Sequence, residues 1–222
     1  IKSRAPSAGV LNGWGIKETS SGISSIAGEE YARKPDSVGR PIAVCDVKVV
    51  DGAGKELPSG EQGELWVRGP NVVKGYWNNP QASAKSFTDG WFHTGDVGKI
   101  DDDGFIYVLD RLKDMIIRGG ENVYCAEVEA ILVEHPLVEA ACVFGVPHEV
   151  LGEEVAAVVE VSHDAVLTER ELREHAARSL AKFKVPGRIW LRREALPQGA
   201  TGKVQKKELK AFYTALLAQG GG

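Results

Sequence analysis

The chain has 222 residues, of which 43% are hydrophobic and 26% are charged, and its formal net charge at pH 7 is −4. These proportions are ordinary for a globular protein, and the negative balance argues against a general nucleic-acid binder, which would usually be basic. The sequence has no run of about 18 apolar residues and so predicts no membrane span, while three cysteines without metal-ligand spacing favour a reducing compartment, predicted to be the cytoplasm.

The first half of the chain is predicted to contain a small antiparallel β unit. Residues 1–40 are rich in glycine, serine and alanine and show little periodicity, which predicts loops. Strands are predicted in AVCDVKVVD, GELWVRGP, WFHTGDVGKI and FIYVLDR, because these short segments rich in β-forming residues are separated by turn chemistry such as DDDG. A short helix is predicted in NNPQASAKSFTDG. The β unit is therefore expected to span residues 41–109.

The second half of the chain is predicted to mix helices and strands. YCAEVEAILVEHP predicts an amphipathic helix with Val128, Ile131 and Leu132 on one face. LTERELREHAARSLAKF opens with Thr168 followed by Glu171, a capping box that predicts a second helix. AACVFGVP, EEVAAVVEVS and GRIWLRR predict strands, and KKELKAFYTALLAQ predicts a terminal helix. The predicted fold class is α+β: a small antiparallel β subdomain, then a compact α+β domain whose central sheet is flanked by helices.

The segment DRLKD separates these two patterns. We place a domain boundary at residues 111–114, between a first domain at 1–110 and a second at 115–222. Alternating charged and apolar residues at such a point fit a hinge, and they fit an ordinary surface turn equally well.

Two stretches of the first domain carry candidate binding residues. Asp96, in HTGD, follows a glycine, and its carboxylate can accept two hydrogen bonds at once, as a vicinal diol such as a ribose requires. Arg111 could donate to the same sugar or to a phosphate, or form a surface ion pair. In GWGIKETSSG, Trp14 beside Gly15 could cover a base and Glu18 could bind magnesium. The alternatives are a turn aspartate, a core tryptophan and a solvated glutamate.

Two glycine-containing stretches of the second domain are further candidates. Gly119 and Gly120, in RGGENVY, would let a ligand approach the backbone closely, or would form a hairpin turn. LPQGATGKV places Lys203 on a glycine-flanked loop that could deliver a positive charge. This loop is not a phosphate-binding P-loop, because Val204 stands where a P-loop has serine or threonine.

The order of these motifs resembles the family of adenylate-forming enzymes, which comprises acyl-CoA synthetases, adenylation domains of peptide synthetases and luciferases. GWGxxE, TGD, DRxKDxIxxGGENVY and PxxxxGK follow one another between about residue 13 and residue 210. The combination of GGENVY with AEVE is most similar to the branch of fatty- and aryl-acyl-CoA ligases. Members of the family activate a carboxylic acid with ATP and Mg²⁺ as an acyl-adenylate, and then transfer the acyl group to coenzyme A.

The resemblance implies an ATP site at the end of a large adenylate-binding domain, to which residues 1–110 would belong. The implied contacts to adenine come from Trp14 and Gly15. Asp96 would hold the ribose hydroxyls with help from Arg111, and Glu18 would hold Mg²⁺.

For the second domain, the resemblance implies a mobile lid that moves about a hinge at Lys113. Lys203 would be the catalytic residue, bridging the carboxylate and the α-phosphate during adenylation. After rotation, the turn with Gly119, Gly120 and Glu121 would form the channel for coenzyme A.

The resemblance also implies that a part of the enzyme precedes this chain. The family's phosphate loop and most of its acyl pocket would lie before residue 1, and the first residue is not methionine. We therefore expect a fragment that cannot adenylate alone and whose partners are the missing N-terminal part, a small carboxylic acid of the fatty type, ATP and coenzyme A. No nucleic acid is expected.

Three departures and two alternative functions accompany this interpretation. Lys17, Arg118 and Cys125 stand where the family usually has threonine, serine and proline, and Lys17 bears on the nucleotide and magnesium contacts of its loop. The alternatives are an aryl-CoA or luciferase-like ligase, and a non-catalytic module that binds a nucleotide or coenzyme A.

Overall fold

A computed structural model describes residues 9–163 and 166–220. The chain divides into two compact units, residues 1–112 and 113–222. The division falls inside the segment 111–114 for which a hinge is predicted; movement about that segment stays a prediction. In the described part of the chain, no helix is both long enough and apolar enough to cross a membrane.

The first unit begins with a three-stranded antiparallel sheet in the order β1-β2-β3. Its elements are β1 (Leu11–Ile16), β2 (Ser21–Ala27), a short helix α1 (Gly28–Arg33) and β3 (Arg40–Pro41). The prediction of loops throughout residues 1–40 is therefore wrong where this sheet forms. Residues 1–8 of the predicted loop region lie outside the described part of the chain. The glycines and serines leave little hydrophobic periodicity in the sequence, and the buried Ile23 and Ile26 are three positions apart on β2, a spacing that does not follow the period of two of a strand.

The second sheet of this unit confirms the antiparallel β unit expected from the sequence. It contains β4 (Asp46–Val50), β5 (Gly63–Arg68), β6 (Phe87–Thr88), β7 (Trp91–Ile100) and β8 (Ile106–Arg111), with the predicted short helix α2 (Pro80–Ser86) before β6. The strand order is β4-β5-β7-β6, and β8 also pairs with β7. The core of the unit is built from both sheets, with Trp14, Ile23, Val49, Leu65, Val67 and Ile106 among its buried members.

The second unit is the predicted compact α+β domain. It contains β9 (Ile116–Arg118), β10 (Glu121–Val123), α3 (Cys125–Val133), β11 (Val138–His148), β12 (Gly152–Val161), α4 (Glu169–Ala176), β13 (Arg188–Arg192) and α5 (Lys206–Ala218). The strand order is β10-β9-β12-β11, and β13 pairs in parallel with β12. All other pairings in this sheet are antiparallel.

The central sheet of the second unit buries both of its faces. Val143, Val155 and Val159 pack with residues of α3 and α4 in one cluster. Phe144 and Val158 pack with residues of α5 in the other. Alternate residues of β11 and β12 point to opposite faces, so each strand serves both clusters and reads as a nearly continuous apolar run in the sequence.

The capping box expected at Thr168 is confirmed. The Thr168 hydroxyl accepts a hydrogen bond from the Glu171 backbone N–H at 3.2 Å, and the Glu171 carboxylate accepts one from the Thr168 N–H at 2.9 Å. The helix ends at Ala176, although the apolar period continues to Leu180. After Ala176 the chain continues in a tighter turn with 3₁₀-type hydrogen bonds, such as that from the Ser179 N–H to the Ala176 carbonyl. Leu180 follows this turn and is buried.

Candidate functional site

Asp96 lies at the centre of the candidate site in the first unit. Its Oδ2 accepts a hydrogen bond from the Trp14 indole Nε1–H at 2.8 Å, and its Oδ1 lies 3.3 Å from the Arg111 Nε. The Asp96 side chain is only 6% exposed, whereas that of Arg111 is 54% exposed. The fold thus brings together three of the residues singled out in the sequence, two of which are 82 positions apart.

The backbone around Asp96 explains why the carboxylate is held there. Gly95 has a positive φ of 70°, a conformation that glycine adopts without steric cost. Its N–H donates to a Glu64 carboxylate oxygen at 3.0 Å, and the Thr94 hydroxyl accepts from the Asp96 N–H at 3.0 Å. Asp96 is also the direct partner of Arg111 in the β7–β8 ladder. A glycine turn and a cross-strand pair therefore fix the carboxylate between the indole and the guanidinium.

The pKa of Asp96 is raised above its ordinary value because burial disfavours the charged form. The hydrogen bond from Trp14 and the charge of Arg111 act in the opposite direction, and the nearby Glu64 charge raises the pKa further. The carboxylate is therefore costly to ionise, and bound hydrogen-bond donors would stabilise its charged form. Among the described residues, each oxygen has one polar partner, so a lone pair of each remains for a diol such as a ribose.

Trp14 and Gly15 line an open groove of about 710 Å³ together with Lys17 and Gly22. Such a volume is within the range of small-molecule sites. Trp14 is itself buried in the core of the unit, so the alternative of a core tryptophan is correct. The contact between this groove and adenine stays a prediction.

Glu18 lies on the short 3₁₀ turn Lys17–Thr19, which connects β1 to β2. Its Oε1 accepts a hydrogen bond from the Tyr76 hydroxyl at 3.1 Å, and the Lys17 Nζ lies 4.0 Å from the same oxygen. The Glu18 side chain is 13% exposed, so it is not the solvated glutamate of the alternative interpretation. No local pattern in the sequence indicates Tyr76, because its contact joins residues 58 positions apart.

A magnesium ion at Glu18 would take most of its ligands from outside the protein. In the described part of the chain, no cluster of three or more histidine, cysteine, aspartate or glutamate side chains is placed to hold a metal. A single protein carboxylate is nevertheless sufficient for Mg²⁺ in a nucleotide site, because this ion is usually held by one or two carboxylates together with substrate phosphates and water.

Gly15 occupies an irregularity in the β1–β2 ladder, where the register shifts between Trp14 and Gly15. We expect Gly15→Ala to lower the free energy of unfolding by about 1–3 kcal/mol, because the added methyl group forces the strands apart. A Cβ atom there would overlap the Ser21 carbonyl oxygen and lie 2.9 Å from the Gly22 Cα. Urea denaturation of the chain measures the loss.

The matched control for Gly15→Ala is Gly22→Ala. Gly22 is the direct ladder partner of Gly15, and a Cβ atom added there would meet nothing within 4 Å. Its effect should stay within about 0.5 kcal/mol. Equal losses from the two substitutions would show that the ladder tolerates neither methyl group and would contradict the steric argument.

In the second unit, Gly119 and Gly120 form the hairpin turn between β9 and β10, with φ of 60° and 90°. The Gly119 N–H donates to the Leu151 carbonyl at 2.8 Å. Glu121 begins β10 and is exposed. The hairpin-turn alternative is therefore correct, and a ligand contact at this turn stays a prediction, as does the hinge role of the exposed Lys113.

Lys203 is exposed on a closed turn that precedes α5. The Gly199 N–H donates to the Lys203 carbonyl at 2.8 Å, and residues 198 and 204 pair as an isolated β-bridge. The turn is anchored by the buried Leu196, whose N–H donates to a Glu160 carboxylate oxygen at 2.8 Å. The lysine is thus carried by a turn that is tied to its own unit, rather than by an unattached loop.

This chain belongs to the family of AMP-binding enzymes. Residues 2–77 match the family's AMP-binding enzyme model, and residues 127–203 match the model of the AMP-binding enzyme C-terminal domain. The two matches flank the strands that carry Asp96 and Arg111, and the second match ends at Lys203.

Two relatives of the chain are named as CoA ligases. It is 46% identical to the 2-succinylbenzoate–CoA ligase of Geobacillus kaustophilus, over 90% of this chain and 41% of that protein. It is 39% identical to the long-chain-fatty-acid–CoA ligase FadD13 of Mycobacterium tuberculosis, over 94% of this chain and 41% of that protein. The chain therefore spans about two fifths of the length of these relatives.

A solved structure shares both the fold and part of the sequence. The o-succinylbenzoate coenzyme A synthetase of Bacillus subtilis, in complex with ATP and magnesium ion, matches with a TM-score of 0.85 and 38% identity. The match covers 94% of this chain and 43% of that one. The α+β fold class predicted from the sequence is confirmed.

Proposed function

We propose that this chain is the part of an AMP-forming acid–thiol ligase that holds the nucleotide and supplies the catalytic lysine. In the first half-reaction, a carboxylate oxygen attacks the α-phosphorus of ATP, and pyrophosphate leaves. In the second, the coenzyme A thiol attacks the acyl carbon, and AMP leaves. The observation that carries the proposal is the buried Asp96 carboxylate held between Trp14 and Arg111, and the names of the relatives support it.

The nucleotide is bound by the first unit in this proposal. The Asp96 oxygens accept from the two ribose hydroxyls while Arg111 supports the carboxylate, and adenine lies along the groove beside Trp14 and Gly15. Glu18 holds Mg²⁺, which when bound would neutralise charge on the phosphates. Tyr76 keeps one Glu18 oxygen in place through its hydroxyl.

The second unit supplies the charge that adenylation requires. Negative charge builds on the α-phosphate oxygens as the carboxylate attacks, and the Lys203 ammonium stabilises it. Rotation about the hinge at Lys113 then withdraws Lys203 and brings the turn with Gly119, Gly120 and Glu121 to coenzyme A. Since the Lys203 turn is tied to its own unit, its delivery depends on movement of the whole unit.

The carboxylic acid is either a fatty acid, as predicted from the sequence, or an aromatic acid. The names of the relatives support the two classes equally, because they include a 2-succinylbenzoate, a feruloyl and a long-chain-fatty-acid ligase or synthase. The cytoplasm stays the predicted location.

The proposal is tested with the full-length protein that carries this chain. ATP, Mg²⁺ and coenzyme A are supplied with fatty acids of increasing length, ferulate and o-succinylbenzoate, and pyrophosphate and acyl-CoA are measured. We expect both products with one class of acid. Calorimetric binding of ATP or coenzyme A without turnover of any acid would instead favour the non-catalytic module. The chain by itself is expected to release no pyrophosphate.

A further inference from the structure

Lys206 and Glu129 form a partly buried ion pair next to the Lys203 turn. Lys206 is the first residue of α5, and its Nζ lies 3.0 Å from Oε1 of Glu129 in α3. Each of the two side chains is 26% exposed. The sequence motifs point to neither residue, and Lys206 is one of four lysines between residues 203 and 210.

The ion pair connects three elements of the second unit. Glu129 Oε1 also accepts a hydrogen bond from the Val143 backbone N–H of β11 at 2.8 Å. Burial lowers the pKa of Lys206, but the Glu129 carboxylate raises it, as the Cys125 and Cys142 thiols do once they ionise, so the net effect is a raised pKa for Lys206. The lysine therefore keeps its positive charge at neutral pH, and the start of α5 is bonded to both α3 and the central sheet.

Backbone hydrogen bonds connect the start of α5 at Lys206 to the turn that carries Lys203. The Lys206 N–H donates to the Val204 carbonyl at 2.9 Å, and the Gln205 N–H donates to the Pro197 carbonyl on the other side of the turn at 2.8 Å. The Gly199 N–H closes the turn on the Lys203 carbonyl. A displacement at the start of α5 would therefore be transmitted to the backbone of Lys203.

We propose that Lys206, through its ion pair with Glu129, is a positioning residue that fixes the Lys203 turn for adenylation. The proposal rests on the proposed function, in which the Lys203 ammonium must meet the α-phosphate. A misplacement of about 1 Å in a reacting group can cost about 100-fold in rate. Lys206 itself touches neither substrate nor nucleotide in this role.

The test measures the two half-reactions of the full-length ligase separately. Pyrophosphate release from acid and ATP reports adenylation, and acyl-CoA formation from synthetic acyl-adenylate reports thioester formation. We expect Lys206→Met to slow adenylation about 10- to 100-fold, because Lys203 loses its fixed position. Thioester formation should stay within about twofold, since Lys203 takes no part in it, and Lys206→Arg should restore most of the adenylation rate.

Lys184→Met is the matched control. Lys184 also pairs with α3, through Glu127 at 2.7 Å, and its side chain is 21% exposed. It is remote in sequence from the Lys203 turn, so its loss should leave adenylation within about twofold. Glu129→Gln, which keeps the shape of the side chain, provides a second variant with the same expected direction as Lys206→Met.

A double variant separates positioning from a general loss of structure. If Lys206 acts through Lys203, Lys206→Met should cause no further loss of adenylation in a Lys203→Ala background. Equal loss of both half-reactions, an equal effect of Lys184→Met, or an additive loss in the double variant would overturn the proposal. Full adenylation by Lys203→Ala would instead refute the proposed role of Lys203, whereas loss with Lys203→Ala and none with Lys206→Met would refute only the positioning role.

Discussion

Replacing Lys203 with alanine in the full-length ligase is expected to slow acyl-adenylate formation by about 10²–10³-fold, the usual cost of removing a preorganised group that stabilises developing charge. The expected loss is in the rate constant rather than in ATP affinity, because the proposed role of the ammonium is to stabilise charge that builds during the attack. Single-turnover measurement of pyrophosphate release at saturating ATP gives this rate constant directly.

Two controls distinguish a specific role of Lys203 from a general effect of positive charge. Lys207→Ala removes an exposed lysine from the first turn of α5 and should leave adenylation unchanged. Thioester formation from synthetic acyl-adenylate should also be insensitive to Lys203→Ala, because in the proposed mechanism that reaction follows withdrawal of the lysine. A loss that appears equally in both half-reactions, or equally with Lys207→Ala, would mean that the lysines between residues 203 and 210 act only through their summed positive charge.

Asp96→Asn is expected to weaken ATP binding about 10- to 100-fold, which corresponds to the loss of one hydrogen bond to a charged acceptor. The amide keeps one oxygen, which the Trp14 indole already uses at 2.8 Å in the native protein. Its NH₂ group cannot accept from a second ribose hydroxyl. Titration calorimetry of the full-length protein with ATP and with 2′-deoxy-ATP measures the effect, and the native preference for ATP should be lost in the variant.

The same substitution is expected to stabilise the fold at neutral pH. Because the pKa of folded Asp96 is raised by burial, its contribution to stability is complete below the ordinary carboxyl pKa of about 4 and is lost as the pH rises through the raised value. Asp96→Asn cannot ionise, so its advantage over the native chain should appear as the pH rises and vanish in acid. Urea unfolding of the chain between about pH 4 and pH 8 measures this difference.

Asp102→Asn serves as the control for the pH experiment, because Asp102 is exposed in the turn between β7 and β8. Its unfolding curves should track those of the native chain at every pH. A stability difference for Asp96→Asn that is constant with pH would show that packing, rather than ionisation of the buried carboxylate, distinguishes the variant. Weaker ATP binding together with higher stability of Asp96→Asn would show that the native carboxylate lowers the stability of the fold and strengthens nucleotide binding.

The accuracy of the sequence predictions differed between the two units for a physical reason. In the second unit, the strands buried on both faces and the amphipathic helices leave long apolar patterns in the sequence, so α3, β11, β12 and α5 lie where they were predicted. In the first unit, the β1–β2 hairpin was assigned to loops. Gly13 and Gly15 allow close approach of the backbones, and small residues of this kind give strands little hydrophobic periodicity.

The residues of the candidate site likewise fall into those that local motifs indicate and those that only long-range packing brings into contact. The motifs TGD, GGENVY and GATGK were enough to predict the candidate carboxylate, glycines and lysine, because each places these residue types in a local setting that suits binding or delivery of charge. Which side chains surround these residues depends on tertiary packing. Trp14 reaches Asp96 across 82 positions, Tyr76 reaches Glu18 across 58, and Lys206 pairs with Glu129 of another helix. A local motif specifies backbone freedom and side-chain type, whereas these contacts arise when distant segments pack together, and no local pattern records them.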